Sequence, residues 1–247
     1  MTRPREHAAA LAALVEAAGG RALVYPAIEI EDPADPASAL RVIGNLEQFD
    51  LAVFVSPAAV RKSFELIKKA RAKWPGSLRA AAVGQGSRDE LDRHGVRGAL
   101  APDSGADSES LLALPEMAGV AGKRIVIFRG EGGRELLGET FAARGAKVEY
   151  AVCYRRVRPR IDVRPLLAAW AKGEVHAVTV SSSTGLANLQ AMLGEPGRGV
   201  LAGTPVFVPH PRVAEEARRL GAGAPVVVAG PADAEMMERL VAYFSEA

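Results

Sequence analysis

Residues 49–60 read FDLAVFVSPAAV and residues 175–186 read VHAVTVSSSTGL, so an apolar run that ends in a serine occurs twice. Ser56 and Ser181 stand at the same point of the two runs and are 125 residues apart. The stretches AAAVGQGSRDEL at 80–91 and PVFVPHPRVAEEA at 205–217 recur at the same interval. The sequence therefore contains two copies of one α/β unit, each of roughly 120 residues.

The order of the repeated segments predicts that one copy is inserted in the other. The opening segment, TRP at 2–4 followed by a helical pattern and ALVYPAIEI at 22–30, matches FRGEGGRE at 128–135 and VEYAVCYRR at 148–156. We therefore expect a discontinuous domain, residues 1–27 with 156–247, and a second domain over residues 33–149. Connectors at 28–32 and 150–155 alternate in hydrophobicity, with Tyr150, Val152 and Tyr154 on one face, which predicts two antiparallel strands that act as a hinge.

Short runs rich in Val, Ile and Ala alternate with helical patterns along the chain, which is typical of parallel sheets covered by helices. The predicted fold is α/β, with two flavodoxin-like doubly wound parallel-sheet domains, one inserted in the other, joined by a two-stranded connector. The predicted strands are 22–26, 51–55, 80–83, 124–128, 148–153, 177–180, 205–208 and 225–229, with a weaker one at 98–101. The predicted helices after the first are 58–72, 87–94, 134–144, 184–193, 213–220 and 232–244.

The opening copy is one strand short in this scheme. Only Met1 and Thr2 precede Arg3, whereas a full strand precedes its counterpart Arg129. Two alternatives stay open: the sheet lacks this strand, or further residues precede Met1.

Composition excludes several classes of protein. The 247 residues carry 31 Lys and Arg against 29 Asp and Glu, so no overall field favours nucleic acid or a membrane surface. No apolar run approaches the roughly 18 residues of a membrane span, and Glu16 interrupts an opening stretch that we expect to be a helix rather than a signal peptide. The single Cys153 fits a reducing cytoplasm and a buried position in a strand.

Candidate ligand-binding residues lie in the loops that follow the strands, where doubly wound sheets bind their ligands. These loops are built of Gly, Ser, Thr and Pro with occasional Arg, a composition that accepts several anionic groups through backbone N–H and hydroxyl donors. The substrate-binding candidates are Thr2, Arg3, Ser56, Pro57, Gly84, Gln85, Ser87, Arg129, Gly130, Ser181, Ser182, Ser183, His210 and Arg212.

Several of these positions also have a purely structural interpretation. Ser56, Ser87, Thr184 and Asp233 stand where helix N-caps are expected, and His210 between two prolines fits a rigid loop. The sequence has no phosphate loop, dinucleotide-binding fingerprint, GxSxG elbow or metal-ligand spacing, so we expect neither a cofactor nor a metal.

In this joint order the motifs resemble the uroporphyrinogen-III synthase family of tetrapyrrole biosynthesis. The resemblance runs over nearly the whole chain, through TRP, FDLAVFVSPAAV, KRIVIFRGEGGRELL, RGAKVEYAVCYRRV, VTVSSSTGLANL and VVVAGPAD. It implies a lyase without a cofactor, which converts hydroxymethylbilane to uroporphyrinogen III by losing water, inverting the terminal ring and closing the macrocycle. It also implies a linear tetrapyrrole polycarboxylate as substrate and transient contact with the bilane-producing enzyme. We expect a cytoplasmic protein from its single cysteine, and a monomer because no long apolar patch stands out in the sequence.

The resemblance implies a catalytic role for Tyr154, which matches the tyrosine proposed to donate a proton to the departing hydroxyl. A packed aromatic residue is the structural alternative. Ser87 stands where the family often has Thr, and the hydroxyl is kept. For the whole chain, the main alternative is a two-lobed protein that closes on a small anion without catalysis. A two-domain glycosyltransferase is a second alternative, although the sequence has no evident sugar-nucleotide site.

Overall fold

The computed structural model describes residues 1–245. It divides into two compact units, one of residues 30–156 and the other of residues 1–29 together with the described residues from 157 onward. In chain order the elements are α1 (Arg5–Ala17), β1 (Glu29–Glu31), α2 (Ala37–Ile43), β2 (Leu51–Phe54), α3 (Pro57–Lys69), β3 (Arg79–Ala82), α4 (Gln85–Arg93), α5 (Ser108–Leu112), β4 (Arg124–Gly130), α6 (Leu136–Ala143), β5 (Lys147–Val157), α7 (Arg164–Ala171), β6 (Val178–Thr179), α8 (Ser183–Ala202), β7 (Val206–Val208), α9 (Pro211–Arg219), β8 (Val226–Val228) and α10 (Asp233–Ser245).

Each unit is built on its own sheet, and the pairings among β2 to β8 are parallel. The unit of residues 30–156 has a five-stranded sheet in the order β1-β5-β4-β2-β3. The other unit has a three-stranded sheet in the order β6-β7-β8. The predicted α/β class with parallel sheets is therefore confirmed. Among the described residues, no helix is both long and apolar enough to cross a bilayer.

The composition of β2 explains why the larger sheet is covered on both faces. All four of its residues are buried, as expected for a continuous apolar strand between two helical layers. Ala52 and Phe54 belong to one apolar cluster, whereas Leu51 and Val53 belong to a second cluster. Phe54 stacks on Phe128 of β4, with ring centroids 4.8 Å apart.

Most predicted elements are found close to their expected bounds. The seven strands predicted from 51–55 onward correspond to β2 to β8, and the six predicted helices correspond to α3, α4, α6, α8, α9 and α10. Sequence patterns missed the short helices α2, α5 and α7. The helix predicted to end at Leu193 does break there, because Gly194 has φ 62°, but a further helical segment follows to Ala202.

Two strand predictions were wrong. The weaker strand at 98–101 reduces to one bridge between Leu100 and Ala81. The segment 22–26 forms no regular strand, although it and the next residue hydrogen-bond the backbone of Met1 and Thr2. Its hydrogen bonds run from Tyr25 N–H to the Met1 carbonyl and from Ala27 N–H to the Thr2 carbonyl, each 2.9 Å long.

The helix caps correct the interval of the repeat by one residue. The N-cap of α3 is Ser56, whose Oγ accepts from Ala59 N–H at 3.1 Å. The N-cap of α8 is Ser182, not Ser181, and its Oγ accepts from Gly185 N–H at 3.1 Å. The two units therefore correspond at an interval of 126 residues. The sequence comparison paired Ser56 with Ser181, the first residue of a run of three serines. The structure pairs Ser56 with Ser182, because these two residues cap equivalent helices.

Candidate active site

A β-bulge near the end of β5 determines where Tyr154 points. Arg129 of β4 pairs with Val152, but the next residue of β4, Gly130, pairs with Tyr154. Cys153 is therefore an extra residue without a partner in the ladder. One extra residue reverses the alternation of side chains beyond it.

The reversal places consecutive residues of β5 in the same core. Cys153 and Tyr154 are 0% and 2% exposed and lie in one apolar cluster, whereas Tyr150 packs against the other cluster. The predicted alternation, with Tyr150 and Tyr154 on one face, is therefore wrong. Burial raises the pKa of the Cys153 thiol to about 12, which agrees with its predicted role as a core residue.

The Tyr154 hydroxyl is held by two polar side chains. Its Oη lies 3.1 Å from Ser56 Oγ and accepts a hydrogen bond from Arg156 Nη2 at 3.2 Å. The Arg156 guanidinium carbon also lies 5.6 Å from the centre of the Tyr154 ring. Ser56 Oγ also accepts the capping N–H of α3, and either hydroxyl can be the donor in the bond between the serine and tyrosine oxygens.

Gly130 gives the Tyr154 ring its space. A Cβ at this position would lie 2.7 Å from two ring carbons of Tyr154, which is shorter than any ordinary contact. The predicted site residue Gly130 therefore has a steric role here, since it allows the ring to lie against the β4 backbone.

The Arg129 side chain binds residues of its own unit. Its side chain is 9% exposed, donates to Glu135 Oε1 at 2.9 Å, and also hydrogen-bonds the Gly132 carbonyl. The guanidinium carbon lies 4.9 Å from the centre of the Tyr150 ring. Burial, and then a hydrogen bond to Glu135, raises the pKa of Tyr150 to about 12. In this arrangement Arg129 organises the loop after β4.

The loops after β2 and β3 lie side by side at one edge of the sheet, because these strands are parallel neighbours. Pro57 begins α3, and Gly84 is the N-cap of α4 without a side chain to cap it. Gln85 Nε2 donates to the Pro102 carbonyl at 2.7 Å, but its buried Oε1 has no hydrogen-bond partner among the described residues. Ser87 is buried inside α4, so its predicted capping role was wrong.

The other seven candidates lie in the unit formed by the two ends of the chain. Thr2 is buried and its Oγ1 donates to the Thr179 carbonyl at 3.0 Å. Arg3 forms an ion pair with Asp233. Ser181, Ser182 and Ser183 are partly exposed at the start of α8, where Thr184 is not the cap that was predicted.

His210 and Arg212 lie at the start of α9, and both are exposed. His210 takes the N-cap position without a side-chain capping bond. Arg212 forms no ion pair with any residue in the range 1–245, which leaves it the more accessible of the two predicted arginines in this unit. Within the same range no three His, Cys, Asp or Glu side chains come together as metal ligands.

In the unit of residues 30–156 the structure brings Tyr154, Ser56 and Gly130 together. Sequence reasoning missed a fourth member of this group, Arg156. The available signal was its position two residues after Tyr154 in a strand, a spacing that returns a side chain to the same face.

Comparisons with known proteins identify the family. The family described as Uroporphyrinogen-III synthase HemD matches residues 9–238. The uroporphyrinogen-III synthase of Salmonella typhimurium is 34% identical over 194 residues, and that of Escherichia coli is 32% identical over 193 residues. Each alignment covers 78% of this chain and 78% of the relative.

A solved structure gives the same fold. The crystal structure of a mutant uroporphyrinogen III synthase from the extremely thermophilic bacterium Thermus thermophilus matches over 100% of both chains, with a TM-score of 0.61 and 19% sequence identity. At that identity the structural match supports the fold alone. The family match and the relatives of 34% and 32% identity rest on similarity of sequence. The chain therefore belongs to the uroporphyrinogen-III synthase family.

Proposed function

We propose that this chain acts as a cyclising lyase, which converts hydroxymethylbilane to uroporphyrinogen III with loss of water and inversion of the terminal pyrrole ring. Family membership and the 34% identity to the Salmonella typhimurium enzyme support the reaction. The structural observation that carries the chemistry is the Tyr154 hydroxyl, held between Ser56 Oγ and the Arg156 guanidinium.

Tyr154 supplies the proton for the departing hydroxyl. The bond between the terminal methylene carbon and its hydroxyl oxygen breaks, both electrons stay on the oxygen, and the Tyr154 proton completes a water molecule. Arg156 donates to the oxygen that Tyr154 retains, so a positive charge faces the negative charge that develops there. Ser56 donates its hydroxyl proton to the same oxygen while it continues to cap α3.

The electron-deficient carbon is then attacked by the substituted position of the terminal ring, through a spiro intermediate. Free bilane closes without inversion, so the enzyme must hold the terminal rings for the less direct attack. Loops rich in Gly, Ser and Thr suit this task, because the substrate carries eight carboxylates and each loop offers backbone and hydroxyl donors.

Tyr154 is only 2% exposed, so the proposal requires that its covering residues move before the substrate reaches Oη. A general acid must lie within about 2.6–3.2 Å of the oxygen that it protonates. We assign this movement to the connectors 28–32 and 150–155, because the chain passes from one compact unit to the other at or beside these segments. Two flavodoxin-like domains, one inserted in the other, belong to the same proposal and are supported by the strand orders β5-β4-β2-β3 and β6-β7-β8. We also assign the reaction to the cytoplasm, next to the enzyme that supplies the bilane.

The test is to supply the purified protein with bilane made in situ, oxidise the product, and separate the type I and type III isomers by chromatography. We expect predominantly type III product. Replacing Tyr154→Phe should lower its rate about 10²- to 10⁴-fold, the range of one acid catalyst. Tyr150→Phe is the matched control on the same strand and should leave the isomer ratio unchanged.

Two results would count against the proposal. An unchanged type III rate in the Tyr154→Phe protein would remove the proton-donor role. Tight binding of bilane by a folded wild-type protein that yields only type I product would instead favour the binding-protein alternative.

A further inference from the structure

The ion pair at the carboxyl end of β4 joins a buried cation to an exposed anion. The Arg129 side chain is 9% exposed, whereas the Glu135 side chain is 53% exposed. Nη1 of Arg129 donates to Glu135 Oε1 at 2.9 Å. A buried guanidinium requires a compensating anion, while an exposed carboxylate keeps much of its hydration and gains little from pairing. The anion of this pair is therefore the exchangeable partner.

Neutral groups hold the Arg129 guanidinium independently of Glu135. Nη2 donates to the Gly132 carbonyl, and the guanidinium carbon lies 4.9 Å from the centre of the Tyr150 ring. Gly132 and Gly133 have φ of 69° and 99°, a backbone conformation that brings the loop against the guanidinium and that other residues rarely adopt. A Cβ on Gly133 would lie only 3.1 Å from Arg129 Nη2. The guanidinium should therefore keep its position when another anion replaces Glu135.

The Glu135 carboxylate serves Arg129 rather than its own helix. Glu135 takes the N-cap position of α6, but its side chain makes no capping hydrogen bond. Hydrogen bonds from Tyr150 and then from Arg129 lower the pKa of the Glu135 carboxyl, so it is charged at neutral pH. Release of this carboxylate would leave the backbone of α6 with the same hydrogen bonds.

The equivalent arginine of the other unit is also paired with a carboxylate. At the interval of 126 residues Arg3 corresponds to Arg129, and Arg3 forms an ion pair with Asp233. The Asp233 side chain is 26% exposed, against 53% for Glu135. Both units therefore supply an internal anion to this arginine, and Glu135 is the more readily displaced of the two.

We propose that Glu135 holds the place of a substrate carboxylate on Arg129 until the substrate binds. The incoming carboxylate takes over the hydrogen bond from Nη1, and Glu135 returns to solvent. This exchange buries no additional charge, because one anion replaces another. The choice of a polycarboxylate as the ligand rests on the proposed function.

Such an exchange would also select for ligands with several carboxylates. Glu135 is tethered close to Arg129, so its effective concentration exceeds that of a small monocarboxylate in solution. A polycarboxylate that is already bound through other groups presents its next carboxylate at a comparable effective concentration. Glu135 therefore excludes single small anions from Arg129 and lowers the affinity for the true ligand only modestly.

The experiment measures the binding of uroporphyrin, a fluorescent octacarboxylate, by fluorescence titration. Glu135→Gln keeps the shape of the side chain and removes its charge, and we expect a dissociation constant about two- to fivefold lower than that of the wild type. Glu139→Gln is the matched control, because Glu139 is exposed on the next turn of α6. It removes the same charge without freeing Arg129 and should change the dissociation constant less.

Arg129→Gln supplies the second comparison, with urea unfolding to verify that each variant is folded. In the Arg129→Gln background, adding Glu135→Gln should have no larger effect than adding Glu139→Gln, because no guanidinium remains to be released. Unchanged or weaker binding by the Glu135→Gln protein would overturn the proposal, and so would an equal gain in the Glu139→Gln protein.

Uroporphyrin binding separates this proposal from the proposed reaction, because it requires no turnover. Tighter binding by the Glu135→Gln protein, together with a wild type that forms no type III product, would support the exchange and contradict the reaction. Absence of binding by the wild type and by every variant would overturn the exchange, whatever the activity.

Discussion

Tyr154 owes its position to two neighbouring residues rather than to its own place in the strand pattern. The bulge at Cys153 turns its ring into the core, and Gly130 leaves the space that the ring occupies. Bulges are frequent next to active sites because they redirect one side chain without changing the sheet.

Gly130→Ala tests this arrangement. The added Cβ would meet the Tyr154 ring, so we expect the ring to shift, the unfolding free energy to fall by about 1–3 kcal/mol, and the type III rate to fall with it. Gly119→Ala is the control, since a Cβ there meets nothing within 4 Å. A crystal structure of the Gly130→Ala protein with Tyr154 unmoved would contradict the steric role.

Arg156 and Arg155 form a matched pair at the end of β5. Arg156 donates to the Tyr154 hydroxyl, whereas Arg155 pairs with Glu31. We expect Arg156→Gln to lower kcat about tenfold or more with a smaller change in KM, because the charge acts on the oxygen left by proton transfer. Arg155→Gln should leave kcat near the wild-type value. Equal effects in the two variants would indicate a general electrostatic contribution instead.

The Met1 amine predicts a pH dependence of stability. Its pKa falls from 8.0 to about 6 through burial, so the unfolded state binds more protons between these values. The unfolding free energy should therefore fall as the pH decreases from 8 to 6, by roughly 2–3 kcal/mol, and this contribution should level off below pH 6. Urea unfolding across this range measures it.

At the scale of elements, equivalent helices of the two units begin with the same capping chemistry. Ser56 caps α3 and Ser182 caps α8, each through an Oγ that accepts an N–H three residues later. The two capping serines also show that the repeat interval is 126 residues, because the hydrogen bonds of the N-cap define where each helix begins.

Replacing each capping serine by alanine should separate structural from catalytic roles. Ser56→Ala and Ser182→Ala should each lower the unfolding free energy by about 1 kcal/mol, measured by urea unfolding. Ser182→Ala should lower the type III rate only in part, because binding is spread over many loops. A complete loss of activity in folded Ser182→Ala protein would contradict that distributed binding. Ser56→Ala should have the larger effect on turnover, because it also removes the hydrogen bond to Tyr154.

At the scale of the molecule, the two compact units differ in how the chain builds them. Residues 30–156 form one unit from a single continuous segment, whereas the other unit needs both ends of the chain. A continuous unit with its own buried clusters has what a domain needs to fold alone.

Residues 30–156 expressed alone should therefore fold. We expect a cooperative urea transition and dispersed NMR amide signals from this fragment. Residues 157–247 alone lack α1 and the segment 22–27 and should not reach a comparable folded state. A fragment 30–156 without cooperative unfolding would show that this unit depends on the remainder of the chain.

Much of this protein follows from local patterns in its sequence. Apolar runs such as 51–54 predicted buried parallel strands, because only a strand covered on both faces is apolar throughout. The amphipathic pattern after each run predicted the covering helices, and the ordered motifs predicted the family. Short helices such as α2 escaped detection, because fewer than two full turns give no clear periodicity.

Tertiary structure alone decided which side chains meet. The bulge at Cys153 depends on the register between β4 and β5. A prediction from strict alternation along the sequence therefore placed Tyr154 on the wrong face of the sheet. The pairing of Arg129 with Glu135 and the contact of Ser56 with Tyr154 depend on side-chain positions that no spacing specifies. The sequence determined the class of each element through its own hydrophobic period, whereas strand register and the burial of Tyr154 arise from contacts between segments that are separated along the chain.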